Sequence, residues 1–148
     1  MRDSGRELTV GMPVRNGERY LEGALRTILD QDVDLELLVG DNASDDRTEE
    51  ICRDHASTDD RIRYHRHGVN VGANRNFNWL VEQSRSPLFR WAAVDDLLDG
   101  PVLERCVAAL RHEPAASLAS TRTVLIDDQG RPVRQHVDDE ARAAAADP

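Results

Sequence analysis

One segment, Leu88-Phe89-Arg90-Trp91-Ala92-Ala93-Val94-Asp95-Asp96, says most about the fold of this chain. A mostly apolar run of strand length delivers two adjacent carboxylates to its C-terminal end, which is where open α/β sheets bind their ligands. Neighbouring carboxylates repel each other unless a cation or hydrogen bonds share their charge. Mg²⁺ and Mn²⁺ favour oxygen ligands of this kind. The commoner alternative for an isolated acidic pair is a solvated turn, so the rest of the chain must decide.

Four further runs of residues predict strands because they are apolar, short and bounded by turn residues. In chain order they are Leu8–Met12 closed by Pro13, Leu35–Gly40 ending at Asp41-Asn42, Ile62–His65, and Leu118–Ile126. A turn at Asp127–Gly130 and a short return strand at Pro132-Val133 follow the last of them.

Helical periodicity separates these strands. The predicted helices are Tyr20–Leu29, a helix capped by Ser44 or Asp45 that carries Ile51 and Cys52, a helix with Phe77, Leu80 and Val81 on its core side, and a helix that begins at Pro101. Strands that alternate with helices predict an α/β fold, a mostly parallel sheet with helices on both faces. The C-terminal ends of parallel strands share one edge, so Pro13–Asn16, Asp41-Asn42 and Asp95-Asp96 should converge there. That convergence favours a ligand site over a solvated turn.

Composition narrows the classes of function. The 148 residues predict one domain, residues 7–135, followed by an acidic, alanine-rich tail at 136–148. A net charge of −9 spread along the chain disfavours a nucleic-acid partner. No apolar stretch is long enough for a membrane span, and the polar start does not resemble a secretory signal. Cys52 and Cys106 are expected to be free thiols in a reducing, cytoplasmic compartment.

The chain contains no lysine, because arginine supplies all 19 basic residues. A P-loop and Schiff-base catalysis both require a lysine, so both are excluded. His65 and His67 share a strand face but are expected to be surface histidines rather than metal ligands. Trp79 and Trp91 are expected in the core.

Four motifs in order resemble family-2 glycosyltransferases, which have the GT-A fold, a Rossmann-like three-layer sandwich. The segments are Leu8–Leu21, Val39–Thr48 (similar to the family's Val-Asp-Asp-Gly-Ser-x-Asp-x-Thr turn), Asn70-Val71-Gly72 with Arg75-Asn76, and Ala93–Asp96 with Pro101 downstream. The resemblance covers about Leu8 to Ile126 and implies a nucleotide-diphosphate sugar as donor, with UDP favoured.

The resemblance also implies site roles for individual residues. Pro13, Arg15 and Asn16 would line the nucleobase pocket with Asp41 and Asn42, whose amide oxygen could accept from a uracil N–H. Arg75 would reach the base or the diphosphate. Asp95 would bind the ribose or assist the metal, and Asp96 would hold the Mn²⁺ or Mg²⁺ ion that bridges the diphosphate. The acceptor is a glycan, lipid or small molecule, and a homodimer is an expected assembly.

The chain departs from the family pattern at two points. The first Asp of the Asp-x-Asp triplet is replaced by Ala93 or Val94, which predicts weaker metal binding. The resemblance also implies a further half that supplies the acceptor site and the general base of an inverting enzyme. No convincing candidate for that base is found, because the acids considered for it, Asp127, Asp128, Asp138, Asp139 and Glu140, fall in a turn and the tail.

Several functions therefore stay open. The first is an inverting, metal-dependent glycosyltransferase donor domain, and the second is a non-catalytic nucleotide-diphosphate-binding fragment. A phospho-acceptor receiver domain is disfavoured because the site of that class is completed by a lysine, and this chain has none. A dinucleotide-binding domain is disfavoured because no Gly-x-Gly-x-x-Gly follows the first strand.

Overall fold

The computed structural model describes residues 5–135, so the predicted tail at 136–148, with Asp138, Asp139 and Glu140, lies outside the described part. The elements, in chain order, are β1 (Leu8–Val14), α1 (Leu21–Leu29), β2 (Leu35–Asp41), α2 (Thr48–Thr58), β3 (Ile62–Arg66), α3 (Ala73–Gln83), β4 (Leu88–Trp91), α4 (Val102–His112), β5 (Val124–Ile126) and β6 (Pro132–Gln135).

The chain divides into two compact units, one ending at Glu104 and one beginning at Arg105. The first holds a parallel four-stranded sheet in the order β3-β2-β1-β4. The second holds a two-stranded antiparallel sheet, β5-β6. The mostly parallel α/β architecture expected from the sequence is confirmed.

The fifth strand differs from its prediction in length and in place. It covers only Val124–Ile126 and pairs with β6, so the four-stranded sheet of the first unit ends at β4. The polar run Ser120–Thr123 interrupts the apolar pattern, and Leu118, at the predicted start, is exposed. The predicted return strand at Pro132-Val133 is present as part of β6.

Helices cover both faces of the parallel sheet. Right-handed crossovers place α1 and α2 on one face and α3 on the other, because β4 returns past β2 and β1. Two glycines let α3 approach closely: a Cβ on Gly11 would meet Leu80 and the Phe89 ring, and a Cβ on Gly40 would lie 2.6 Å from Asn76 Oδ1. Burial on both faces explains why β2 is an almost unbroken apolar run.

The core side of α3 is not the one that the sequence predicts. Leu80 is buried as expected, but Phe77 and Val81 are exposed and the second buried residue is Asn76. Asn76 Nδ2 donates to Gly40 O at 2.7 Å, and this bond sets the rotation of the helix. Trp91, expected in the core, is 49% exposed on the edge strand β4, against Phe77 and Phe89.

Two element ends also differ from prediction. Strand β4 ends at Trp91 rather than Val94, because Asp96 N donates to Ala93 O and the chain turns there. Neither Ser44 nor Asp45 caps α2; Asp46 accepts from Thr48 N at 2.9 Å instead.

Strand β1 runs two residues further than predicted, through Pro13. The backbone N–H and C=O groups of odd-numbered residues in β1 point toward β4, and Gly11 O accepts from Ala92 N. Those of even-numbered residues point toward β2, and Val14 O accepts from Asn42 N. The Pro13 nitrogen thus points to the side where β4 has already ended. No ladder hydrogen bond is lost, so the sheet tolerates the proline.

No helix within residues 5–135 combines the length and the apolar character that crossing a membrane requires. Cys52 and Cys106 are free thiols, as expected. Burial, followed by the nearby Asp41 carboxylate, raises the pKa of the Cys52 thiol to about 12.

Candidate functional site

The strand order of the first unit reverses between β1 and β4. Ligands of open α/β sheets bind at such a reversal, beyond the C-terminal ends of the strands. The residues that the sequence singles out lie in the last residues of β1 and β2 or in the segments that follow β1, β2 and β4: Pro13, Arg15, Asn16, Asp41, Asn42, Asp95 and Asp96. Arg75 lies in the first turn of α3. The structure thus brings the candidate residues to one rim of the sheet.

Five hydrogen bonds join the β1–α1 loop to the β2–α2 loop, and we call this set the clasp. Its members are Asn16 N to Ser44 Oγ, Asp45 N to Asn16 Oδ1, Gly17 N to Thr48 Oγ1, Glu18 N to Asp46 Oδ2, and Arg47 N to Glu18 Oε2, at 2.9 to 3.0 Å. Every bond pairs a backbone N–H with a side-chain oxygen, so the backbone donors of the residues before the two helices are satisfied across the loops. The clasp holds one side of the rim in a fixed shape.

Asp41 is fully buried beneath the clasp. One carboxylate oxygen accepts from Ser44 N at 2.9 Å and Ser44 Oγ at 2.6 Å, and the other accepts from Tyr64 Oη at 2.6 Å. Arg66 lies between two carboxylates, because its Nε is 3.8 Å from Asp41 Oδ2 and 3.1 Å from Glu49 Oε2. Burial and the bond to Asp41 raise the pKa of the Tyr64 hydroxyl far above its usual value. Both Asp41 oxygens are thus engaged inside the protein, which gives this residue a positioning geometry.

Asn42 connects the second strand to the loop before α3. Its Oδ1 accepts from Val71 N at 2.8 Å, and Asn70 Oδ1 accepts from Gly72 N at 2.9 Å. The amide oxygen that the resemblance assigns to a uracil N–H therefore already has a backbone donor. Next to it, Ala43 adopts φ 58°, a left-handed conformation that the glycine of the family pattern would adopt without strain.

Asp95 and Asp96, which we call the acid pair, occupy the opposite side of the rim. Both side chains are exposed, and neither makes a hydrogen bond or an ion pair within residues 5–135. The segment beyond them is held to α1, because Leu98 N donates to Thr27 Oγ1 at 3.2 Å. Val94 packs on Gly17, where an added Cβ would lie 2.8 Å from Val94 Cγ2. The acid pair is therefore placed by its neighbours while its own oxygens remain available.

Two arginines share this exposed character. Arg15 follows β1, Arg75 lies at the start of α3, and both side chains are exposed. In the described part of the chain neither guanidinium has a carboxylate or carbonyl partner. A guanidinium without a partner can bind phosphate through two parallel hydrogen bonds.

The donor set of the acid pair fits a divalent cation of the Mg²⁺ or Mn²⁺ type, which proteins often hold with one or two carboxylates plus substrate phosphates. Between residues 5 and 135 no group of three or more His, Cys, Asp or Glu side chains forms a metal cluster. His65 and His67 pack instead around Trp79, with centroid distances of 4.4 Å and 5.2 Å to its ring. His65 is exposed, as the sequence predicts for a surface histidine, whereas His67 is partly buried and its Nε2 lies 3.0 Å from Asn76 Oδ1.

Sequence reasoning missed the residues that hold the rim together. Thr48, Tyr64 and Asn76 are polar side chains in contact with the site segments, and Thr48 and Asn76 are buried. Each bonds to a residue 23 to 36 positions away, a distance that local periodicity does not report. The burial that makes such polar side chains need partners is visible only in the structure, so the sequence carried no clear signal for them.

The chain matches the family model described as Glycosyl transferase family 2 over residues 9–143. It is 34% identical over 97 residues to a GalNAc(5)-diNAcBac-PP-undecaprenol beta-1,3-glucosyltransferase of Campylobacter jejuni, covering 64% of this chain and 31% of that protein. It is 39% identical over 72 residues to the abequosyltransferase RfbV of Salmonella typhimurium, covering 45% of this chain and 21% of RfbV. The chain thus spans under a third of the length of these relatives.

Solved structures show the same fold. Residues 1–349 of TarS from S. aureus superpose with a TM-score of 0.68 at 20% identity, over 81% of this chain and 34% of that one. The mannosyltransferase PcManGT of Pyrobaculum calidifontis, in complex with GDP-Man and Mn²⁺, superposes with a TM-score of 0.66 at 23% identity, over 74% of this chain and 33% of that one. The family match extends over most of the sequence and the fold agrees with it: this chain belongs to glycosyl transferase family 2.

Proposed function

We propose that this chain is the donor-binding part of an inverting, metal-dependent glycosyltransferase, which transfers a sugar from a nucleotide-diphosphate sugar to an acceptor. The observation that carries the proposal is the contrast in charge pairing at the rim. Asp41 is buried and bonded, whereas Asp95, Asp96, Arg15 and Arg75 are exposed and have no partner in residues 5–135. Charges left without partners beside a strand-order reversal are suited to a ligand that carries both phosphates and a cation.

Each side chain has a part in this proposal. Asp96 holds the divalent ion, and Asp95 binds the ribose hydroxyls or assists the ion. Arg15 and Arg75 bind the base or the diphosphate. Pro13, Asn16, Asp41 and Asn42 shape the nucleobase pocket, with Asp41 acting through the clasp. When bound, the ion would stabilise the negative charge of the leaving diphosphate.

Relatives support the choice of donor class. TarS has been solved with UDP and with UDP-GlcNAc, and PcManGT with GDP-Man and Mn²⁺. These neighbours bind uridine and guanosine nucleotides on the same fold. We therefore propose a nucleotide-diphosphate sugar for this chain too, with the base selected by side chains at the rim.

The test is calorimetric titration with UDP, CDP, GDP and ADP, each with and without Mn²⁺. We expect at least one nucleotide to bind more tightly with the ion, and Asp96→Ala to weaken that binding about tenfold or more, since it removes a charged metal ligand. Asp99→Ala is the matched control, because Asp99 is an exposed acid three residues further along. A nucleotide dissociation constant that changes neither with Mn²⁺ nor with Asp96→Ala would overturn the assignment of Asp96 as a metal ligand.

A second candidate is a nucleotide-diphosphate-binding domain without transfer activity. It is favoured by the acids of the second unit, since Asp127 is engaged by Arg131 at 2.8 Å in a turn rather than presented as a base. An inverting transfer needs a base to deprotonate the acceptor hydroxyl. Turnover of nucleotide sugars by the purified chain separates the two: release of the nucleoside diphosphate supports the enzyme, and metal-dependent binding without release supports the binding domain.

A further inference from the structure

One side of α1 holds the chain that follows the acid pair. Gly23 and Thr27 lie four residues apart on the helix, and Gln31 follows four residues later, just past its end. A Cβ on Gly23 would lie 3.3 Å from Leu97 Cδ2, so the absence of a side chain there lets Leu97 approach the helix. Leu98 N donates to Thr27 Oγ1 at 3.2 Å. We call Gly23, Thr27 and Gln31 the brace.

Gln31 joins the ends of two helices. Its side chain is buried, and the amide Nε2 donates to Thr27 O at 3.2 Å and to Gly100 O at 2.9 Å. Its Oε1 accepts from Leu103 N at 2.9 Å. Thr27 O lies in the last turn of α1 and Leu103 N in the first turn of α4, where helices leave backbone groups unpaired. One amide group thus satisfies both helix ends and fixes the chain from Gly100 to Leu103.

The acid pair lies on a short loop between two fixed points. Before it, at the end of β4, Ala92 N donates to Gly11 O at 3.0 Å. After it, Leu98 N is held by Thr27 Oγ1. Only residues 93–97 lie between these two hydrogen bonds. The two carboxylates are therefore carried by five residues whose ends are anchored to different elements, a strand and a helix.

Anchoring this loop matters because like charges resist being held together. The two exposed carboxylates of the acid pair repel each other when no cation lies between them. A loop with one free end would adopt conformations that separate them, and a ligand that binds both would then have to order the loop at a cost in conformational free energy. A loop that is anchored in advance leaves more of the interaction with a cation available as affinity.

We propose that Thr27 and Gln31 are positioning residues for the acid pair, which set the affinity of the rim for the divalent ion without touching it. This inference rests on the proposed function, since it takes the acid pair as the place where the ion binds. Thr27 lies 71 positions from Leu98 in the chain. The affinity for the ion thus depends on a helix that carries none of the proposed ligands.

The change Thr27→Val tests the inference with little change in shape, because valine has the size of threonine but no oxygen for Leu98 N. Thr27→Ser keeps the hydroxyl group and should behave as wild type. Thr58→Val is the matched control. Thr27 Oγ1 also donates to Ala24 O at 3.2 Å, and Thr58 Oγ1 makes the same kind of bond to His55 O at 3.1 Å, three residues back on α2. Among residues 5–135, Thr58 Oγ1 holds no second segment.

The measured quantity is the nucleotide dissociation constant without Mn²⁺ divided by that with Mn²⁺. The probe is whichever of UDP, CDP, GDP and ADP the wild type binds most tightly. We expect Thr27→Val to lower this ratio about three- to tenfold, the effect of losing one hydrogen bond that orders the loop. Gln31→Met should lower the ratio as well, together with the unfolding temperature, because three bonds are lost. A purely structural role would change both dissociation constants together and leave their ratio as in wild type.

Hydrogen exchange of the Leu98 amide, followed by NMR without nucleotide, tests the anchor itself. Thr27→Val should speed this exchange and Thr58→Val should not, because only the first removes the acceptor of the Leu98 N–H. Exchange that is equally slow in the wild type and in Thr27→Val would overturn the inference, because the loop would then be held without Thr27.

The outcomes separate the inference from the proposed function. A ratio that Thr27→Val and Gln31→Met lower, and that Thr27→Ser and Thr58→Val keep, supports the inference. Binding that depends on Mn²⁺ in the wild type, with a ratio that Thr27→Val leaves unchanged, overturns the inference and leaves the proposed function intact. Failure of the wild type to bind any of the four nucleoside diphosphates overturns the proposed function, and with it the inference.

Discussion

The two sides of the rim differ in how they satisfy their polar groups. On the side of β1 and β2, the five bonds of the clasp and the three bonds to Asp41 pair loop N–H groups and both Asp41 oxygens with protein partners, although Arg15 is exposed there. On the side of β4, the acid pair has no protein partner in the described chain. The paired groups of the first side fix its shape, whereas the carboxylates of the second are the ones proposed to bind a ligand. Substitutions on the first side should therefore change stability, and those on the second should change binding.

The largest expected effect tests the buried side of this comparison. Asp41→Ala leaves Ser44 and Tyr64 without their acceptor in a buried place and should destabilise the fold by about 3 kcal/mol. Urea unfolding measures the loss. Asp95→Ala, made in parallel, should change the free energy of unfolding by less than about 0.5 kcal/mol, because that carboxylate is exposed and bonds to nothing in the described chain. Equal losses in the two variants would contradict the division.

A smaller loss of stability is expected from a change at Gly17, which lies between Val14 of β1 and Val94 beside the acid pair. Gly17→Ala would place a Cβ 2.6 Å from Val14 Cγ2 and 2.8 Å from Val94 Cγ2. We expect a cost of about 2 kcal/mol from the forced displacement, together with weaker nucleotide binding as the segment before the acid pair shifts. Gly68→Ala is the control, since no atom lies within 4 Å of its added Cβ. Thermal unfolding and the Mn²⁺-dependent titration should both show the difference.

The smallest expected effect is the pH dependence of the stability that Asp46 contributes. Burial acts to raise the pKa of Asp46, but bonds from Thr48 and Glu18 outweigh it and hold the pKa below the usual 3.8. A lowered folded-state pKa gives stability that is present above the unfolded value and is lost as the pH falls through the folded one. Asp46→Asn should thus cost about 1 kcal/mol at pH 7 and progressively less below about pH 4. A cost independent of pH, in urea unfolding series from about pH 7 to about pH 3, would argue against the clasp as a charge-assisted structure.

Sequence reasoning located the strands because their apolar runs are local signals. The first three strands and the helices between them follow from periodicity, and the polar residues at the strand ends follow from the parallel order. It placed Phe77 and Val81 in the core because an amphipathic pattern does not show that a single bond, Asn76 to Gly40, rotates the helix. It could not predict the clasp, whose bonds join residues 28 to 31 positions apart. The roles of the site residues stay predictions that the titrations test.

The proline in β1 has a consequence for hydration. At Pro13 the neighbouring strand has ended, and a residue with an N–H would there expose a backbone donor that must hold a water molecule. Proline has no such hydrogen, so the main-chain nitrogen of Pro13 binds no water at this part of the rim. A flat aromatic ring that lies against Pro13 therefore displaces no water held by a backbone N–H at this position, and only water on the Pro13 carbonyl oxygen has to be considered. Pro13 thus removes one bound water that any other residue at this position of the rim would hold through its backbone N–H.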